Sequence, residues 1–431
     1  MLRGTLVTGA ALVLCAGATG CETVRGPTAP DLPLWVHHPG GALSVELRRT
    51  LSSEARQNGE LYERGQPEID PAHRRVFVGS SDHGLYAVRA ENGDTIWRFE
   101  TLAAVQCEPL YDPVEDVVYF GSNDGALYKV AAFDGALLWR FNTNAEVARR
   151  PVIRNGVVYV VNANDTLVAI HADSGKLKWH QHRTPAFGME VAGYAGPALG
   201  RDKVYAAFSD GTVQAYSLED GSEQWPTVDL AAEAEQAAGG DAPRYLDVDT
   251  TPILDTHPSG TVVYVASYAG GVFALDAENG TRVWSNDKPL GVTNLVLWQQ
   301  PAHPPRSGEG PEVPARKLLL GSSGLTGLWA FDPIDGHTVW RRNLPEGGMT
   351  APVPIEGALL VGTTRYGIFL FSPTGGEGHA ALGGGVIDGI QTGNGFAMTP
   401  AVYGRRAFVL TNGGVLLGLS VQPPPGSDHH G

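Results

Sequence analysis

Apolar and polar positions alternate along this chain in short runs, with no sustained helical stripe. In RVFVGSSDHGLYAVRAENGDTIWRF (75–99), the runs RVFV, LYAV and TIWRF suit pleated, half-buried strands. The intervening segments carry the Gly, Asn and Asp residues that tight hairpin turns need. The pattern returns in VVYFGSNDGALYKVAAFDGALLWRF (117–141), VVYVVNANDTLVAIHADSGKLKWHQ (157–181), KVYAAFSDGTVQAYSLEDGSEQW (203–225), VVYVASYAGGVFALDAENGTRVW (262–284) and KLLLGSSGLTGLWAFDPIDGHTVW (317–340). Two more divergent copies follow at 358–378 and 406–421. Most copies are preceded by a proline on a short run, at Pro67, Pro109, Pro151, Pro197, Pro252, Pro352 and Pro400. Proline suits a strand start, where no ladder N–H is required.

Each copy therefore predicts four antiparallel strands, and eight copies predict an all-β, eight-bladed β-propeller over residues 32–422. Trp97, Trp139, Trp179, Trp225, Trp284 and Trp340 each follow a turn glycine closely and are predicted to dock between neighbouring blades. The eighth copy ends without such a strand, whereas LPLWV (32–36), with Trp35, is unclaimed near the N-terminus. That segment is predicted to be the N-terminal strand that completes the last blade and closes the ring. Departures from the period fall at 43–66, 228–252 and 301–316 and read as loops. NLVLW (294–298) reads as the inner strand of blade six, with Trp298 in the core, and 423–431 as a disordered tail.

Composition narrows the function. The 431 residues are 42% hydrophobic and 18% charged, which excludes a disordered chain. Thirty-one Lys and Arg against 46 Asp and Glu, a formal charge of −15, argue against nucleic acid as a partner. At the N-terminus, Arg3 precedes an apolar run from about Leu6 to Ala16 that is too short to span a bilayer and reads as a secretory signal. Ala18-Thr19-Gly20-Cys21 resembles a bacterial lipobox. The resemblance implies removal of residues 1–20, acylation of Cys21, and a tether over 21–31. Glu22 in place of an aspartate points to the outer membrane, facing the periplasm of a Gram-negative bacterium. Cys15 leaves with the signal, so Cys107 is expected to be a buried, unpaired thiol.

Catalytic chemistry is hard to place. His37, His38, His180, His182, His429 and His430 lack the spacing or carboxylate partners of a metal site or triad, and the SGEG and GGG stretches lack the remainder of a phosphate loop. The repeats resemble those of quinoprotein propellers, whose enzyme members bind pyrroloquinoline quinone, but the adjacent cysteines typical of those enzymes are absent. No enzyme activity, cofactor or metal is expected.

The segment RYLDVDTTPIL (244–254) resembles the signature loop of the BamB family, propeller lipoproteins of the outer-membrane β-barrel assembly machinery. The resemblance implies that Arg244, Asp247 and Asp249 help dock the periplasmic repeats of the barrel subunit BamA. It also implies that Met189 and Val191, with Ala192 where the family carries arginine, form the apolar part of the same contact. Asp247 is the better interface candidate; Asp249 reads equally well as a turn cap bonded to its own backbone. The expected function is a non-catalytic, lipid-anchored scaffold that binds BamA and assists nascent outer-membrane proteins. The alternatives are an envelope propeller for another protein or a polysaccharide and, third, a quinoprotein oxidoreductase.

Overall fold

The computed structural model describes residues 41–51, 63–185, 195–232, 245, 247–302, 312, 314–344, 348–365, 367–374, 383–392 and 394–422. These form eight four-stranded antiparallel sheets. Blade one consists of Pro67–Asp70, Arg75–Gly79, Gly84–Arg89 and Thr95–Glu100, lettered A to D in chain order. Blades two to seven repeat this over 110–142, 152–182, 198–229, 253–286, 292–342 and 353–391. Strand A of blade one approaches strand A of both blade two and blade eight. The sheets thus stand radially around an axis lined by their A strands, an eight-bladed propeller. Each of the seven prolines singled out above lies at or directly before an A strand. Strand A of blade six is Val292–Gln300, and Trp298 on it is buried.

The last blade corrects one expectation. Its outermost strand is Leu43–Thr50, paired antiparallel with Val415–Val421, and not residues 32–36. Trp35 lies outside the described residues. The segment LSVELRRT reads as part of a loop in sequence because only Leu43 and Leu47 turn inward, while most of the other positions are exposed. A strand at the outer edge needs just one sparse apolar face, and a bulge between Val45 and Leu47 breaks the strict alternation further. The ring is still closed by an N-terminal strand, so no strand of the last blade is left to be supplied by another chain.

The blade contacts follow from the repeat chemistry. On strand C an alanine stands opposite the tryptophan of strand D, as in Ala87 with Trp97, Ala169 with Trp179, Ala274 with Trp284 and Ala330 with Trp340. A bulge beside each pair re-aims the strand, and the indole crosses to the next blade. There its Nε1–H donates to a carbonyl at the start of the C–D turn: Trp97 to Ala132 at 3.0 Å, Trp139 to Ala172 at 2.9 Å, Trp179 to Leu218 at 3.4 Å, Trp284 to Pro333 at 2.9 Å and Trp340 to Pro373 at 2.8 Å. The ring lies on that turn's glycine. A Cβ at Gly135 would come within 2.7 Å of the Trp97 ring, and one at Gly336 within 2.3 Å of Trp284. Both glycines also hold a φ of +75°, so the position requires glycine for its conformation and for the close approach.

Candidate functional site

Antiparallel pairing sends the D-to-A connections and the B–C turns to one end of the ring, and the A–B and C–D turns to the other. The segment 247–251 is the end of the connection from blade four to blade five, so it lies at the first of these ends. Val248 is buried in the core between blades four and five with Ala195, Trp225 and Leu230. Its N–H donates to the Phe208 carbonyl at 3.3 Å, while the Asp247 carbonyl accepts from Tyr268 N–H at 3.0 Å in the B–C turn of blade five. Thr250 Oγ1 accepts from Ala266 N–H at 2.7 Å. The residues that follow the aspartates therefore fasten the loop to strand B of blade five before strand A begins.

Asp247 and Asp249 are each 3% exposed, so the structure gives them the same burial rather than one open and one capping position. Tyr268 stands beside them. Burial, together with the charges of Asp249 and Asp247 and the neighbouring Tyr245, raises its hydroxyl above the usual phenol range. Tyr245 meets Tyr268 edge to face at 5.6 Å and is half-buried at the surface of the loop. Arg244, Met189, Val191 and Ala192 lie outside the described residues. The ends of the two loops are nevertheless joined: Gly196 N–H donates to Thr251 Oγ1 at 2.9 Å, and Ala195 and Val248 share one core cluster.

Other polar groupings are occupied from within. Asp70, His73 and Asp116 lie close enough to hold a cation, but the Arg75 guanidinium sits among them, donating to Asp70 Oδ2 at 2.7 Å and also to Asp116. Burial opposes ionisation of Asp70, yet the bonds from Arg75 and His73 prevail and hold its carboxyl below the usual range. Asp332, Asp335 and His337 form an exposed turn in blade six in which His337 Nδ1 bonds Asp335 at 2.6 Å. Cys107 is fully buried, its thiol pushed up to about 12 by burial, which leaves it unreactive at neutral pH. His180 and His182 are exposed on strand D of blade three.

Sequence reasoning missed a charged group in the central channel. Arg150, just before strand A of blade three, reaches across to Glu68 of blade one, with Nη2 to Oε1 at 2.8 Å and Nη1 to Oε2 at 2.9 Å. The same guanidinium also bonds Glu108, just before strand A of blade two. The only signal was a charged residue next to the A-strand proline in blades one, two and three, and no linear spacing shows that these blades aim the side chains at one point.

Comparison with known proteins places this architecture. The family model described as Outer membrane protein assembly factor BamB matches residues 81–297, which is 217 of the 431 residues. Among curated relatives, the outer membrane protein assembly factor BamB of Legionella pneumophila is 29% identical over 244 residues, 56% of this chain and 53% of the relative. That of Yersinia pestis is 28% identical over 216 residues, 49% of this chain and 48% of the relative. The chain thus spans about half the length of these relatives. Among solved structures, BamB from Moraxella catarrhalis superposes with a TM-score of 0.66 at 20% identity, covering 88% of this chain and 99% of that one. The quinohemoprotein alcohol dehydrogenase of Comamonas testosteroni superposes at 0.61 with 14% identity, covering 88% and 76%, a likeness of fold alone. With the repeat, the ring and the family match in agreement, the chain belongs to the BamB family of outer membrane protein assembly factors.

Proposed function

We propose that this protein is a non-catalytic scaffold, anchored to the outer membrane through acylated Cys21 and facing the periplasm, that binds the periplasmic repeats of a BamA-like subunit and assists nascent outer-membrane proteins. The observation that carries the reading is the hydrogen bond from Gly196 to Thr251, which joins the ends of two sequence-distant loops at one end of the ring. In this reading Met189, Val191 and Arg244, which lie outside the described residues, contribute to the contact as the family resemblance implies. The buried Asp247 and Asp249 set negative charge beneath the surface that Tyr245 and Tyr268 present. A desolvated apolar centre with a few polar anchors is the usual anatomy of such a contact.

The test is capture of BamA periplasmic repeats by the full chain. Val191→Asp combined with Asp247→Arg should abolish capture while the β-rich circular dichroism is retained. Because Asp247 is buried, a photo-crosslinking residue at Tyr245 provides a second readout in an otherwise intact loop. Unaltered capture by the double variant, together with no crosslink from position 245, removes these loops from the interface.

A further inference from the structure

We propose that the central channel holds a binding site for a short, uncharged saccharide of one or two rings, formed by Gln66, Glu68, Glu108, Arg150 and Tyr403. The site is a cavity of about 290 Å³ lined by strand A of blades one and eight and by the residues preceding strand A of blades two and three. That volume lies just below the usual range for small-molecule pockets, roughly 300 to 1,000 Å³, and so limits the ligand to a small one.

The fixed charges select the class of ligand. Arg150 bonds both oxygens of Glu68 and one of Glu108, so one cation already sits between two carboxylates. A cationic ligand would compete with that guanidinium for the same carboxylate oxygens and be repelled by its charge. An anion would meet two carboxylates against one cation. Hydroxyl groups face neither penalty: each carboxylate oxygen accepts more than one hydrogen bond, and a guanidinium has five donors, more than its three bonds to Glu68 and Glu108 use. Because the three side chains come from three blades and hold one another, the polar face of the site is set before any ligand arrives.

Tyr403 supplies the other half of the recognition. It is 59% exposed, in strand A of blade eight next to the A–B turn, and its ring offers an apolar face with a polar tip, suited to the C–H side of a sugar ring. Pro67, Pro71 and Pro400 form rigid walls around it. The cavity lies at the inner strands of blades one, two, three and eight and shares no residue with the connection from blade four to blade five that carries 247–251.

The test is saturation-transfer NMR on the full chain with maltose, cellobiose and N,N′-diacetylchitobiose, each followed by titration, with putrescine as a cationic comparison. At least one disaccharide should receive saturation and putrescine should not. Tyr403→Ala, at an exposed position, should weaken binding about fivefold to tenfold. Glu108→Gln, which keeps an acceptor for Arg150, should weaken it less, and Leu102→Ala, exposed on the connection from blade one to blade two and outside the cavity lining, should leave it unchanged. Absence of transfer to all three sugars, equal transfer to the Tyr403→Ala protein, or preferential binding of putrescine would each overturn the proposal.

Discussion

Two kinds of blade boundary hold this ring together. Five boundaries between blades one and seven use the same device, an indole N–H donated to the carbonyl that opens the next C–D turn. At the seam between blades eight and one the equivalent carbonyl, Ala90, accepts instead from the Arg406 guanidinium at 2.8 Å. The turn glycine Gly93 is covered there by Leu47 and the Arg49 stem, in place of an indole. A further tie comes from Glu63. Its N–H donates to the Asn412 carbonyl of blade eight at 3.2 Å, and its carboxylate accepts from Ser80 Oγ at 2.9 Å and Ser81 N–H at 2.7 Å in blade one. The five indole boundaries are thus repetitive, whereas the seam adds polar ties from both ends of the chain to an apolar core that includes Leu47, Val88, Phe408 and Leu416. The difference teaches that the ring depends on the position of a carbonyl and a glycine more than on which side chain covers them.

Removing the chain up to Thr50 breaks the seam most severely, because blade eight loses its outer strand and the edge of Val415–Val421 is left unpaired. The expected outcome is loss of the cooperative thermal transition and of monodispersity, read by circular dichroism and light scattering. A truncated chain that melts as the whole one does would show that the seam needs no N-terminal strand.

A smaller effect separates two interior boundaries. Trp284 Nε1–H bonds Pro333, but the carbonyl facing Trp225, that of Ala277, accepts from Tyr205 Oη–H at 3.0 Å instead. The Trp225 Nε1–H is buried with no hydrogen-bond partner among the described residues. Trp284→Phe should therefore cost about 1 kcal/mol more than Trp225→Phe in urea denaturation, the net worth of one hydrogen bond. Equal losses would mean that the indole bonds are incidental to the packing.

The smallest effect concerns pH at the seam. Burial, aided by the Asp82 charge and only partly offset by the bonds from Ser81 and Ser80, raises the Glu63 carboxyl above its usual range. A group whose folded-state value is raised adds stability below its unfolded value, about 4.3, and that contribution is lost as pH climbs through the folded value. Glu63→Gln keeps an oxygen for Ser81, and Ser80 Oγ can rotate to accept from the amide. The variant should match or exceed the native protein by up to about 1 kcal/mol at pH 7 and lose that advantage near pH 4. Asp70, held low by Arg75, runs the other way: its contribution is present at neutral pH and lost on acidification. An Asp70→Asn protein should lose stability at pH 7 and approach the native protein in acid.

The repeat was legible because most blades state their own pattern locally: alternating strands, a turn glycine with positive φ, a proline at the inner strand in seven of them and a tryptophan at the outer one in six. The closing strand was misplaced because LPLWV looks more like a strand than LSVELRRT, and an edge strand with one buried face needs little apolar signal. The loop 244–254 was visible as a motif, yet its two aspartates looked different in sequence and are equally buried in the fold.

The sequence by itself determined the class of fold, the number of blades and the family, because these rest on contacts within about forty residues repeated along the chain. The tertiary structure alone decided which residues seal the ring and which loop ends meet. It also brought Arg150, Glu68 and Glu108 together, since Arg150 and Glu68 stand 82 positions apart and converge only when separate blades turn toward one axis. Local pattern fixes each sheet, whereas the site and the seam depend on where the closed ring places residues that no short-range preference links.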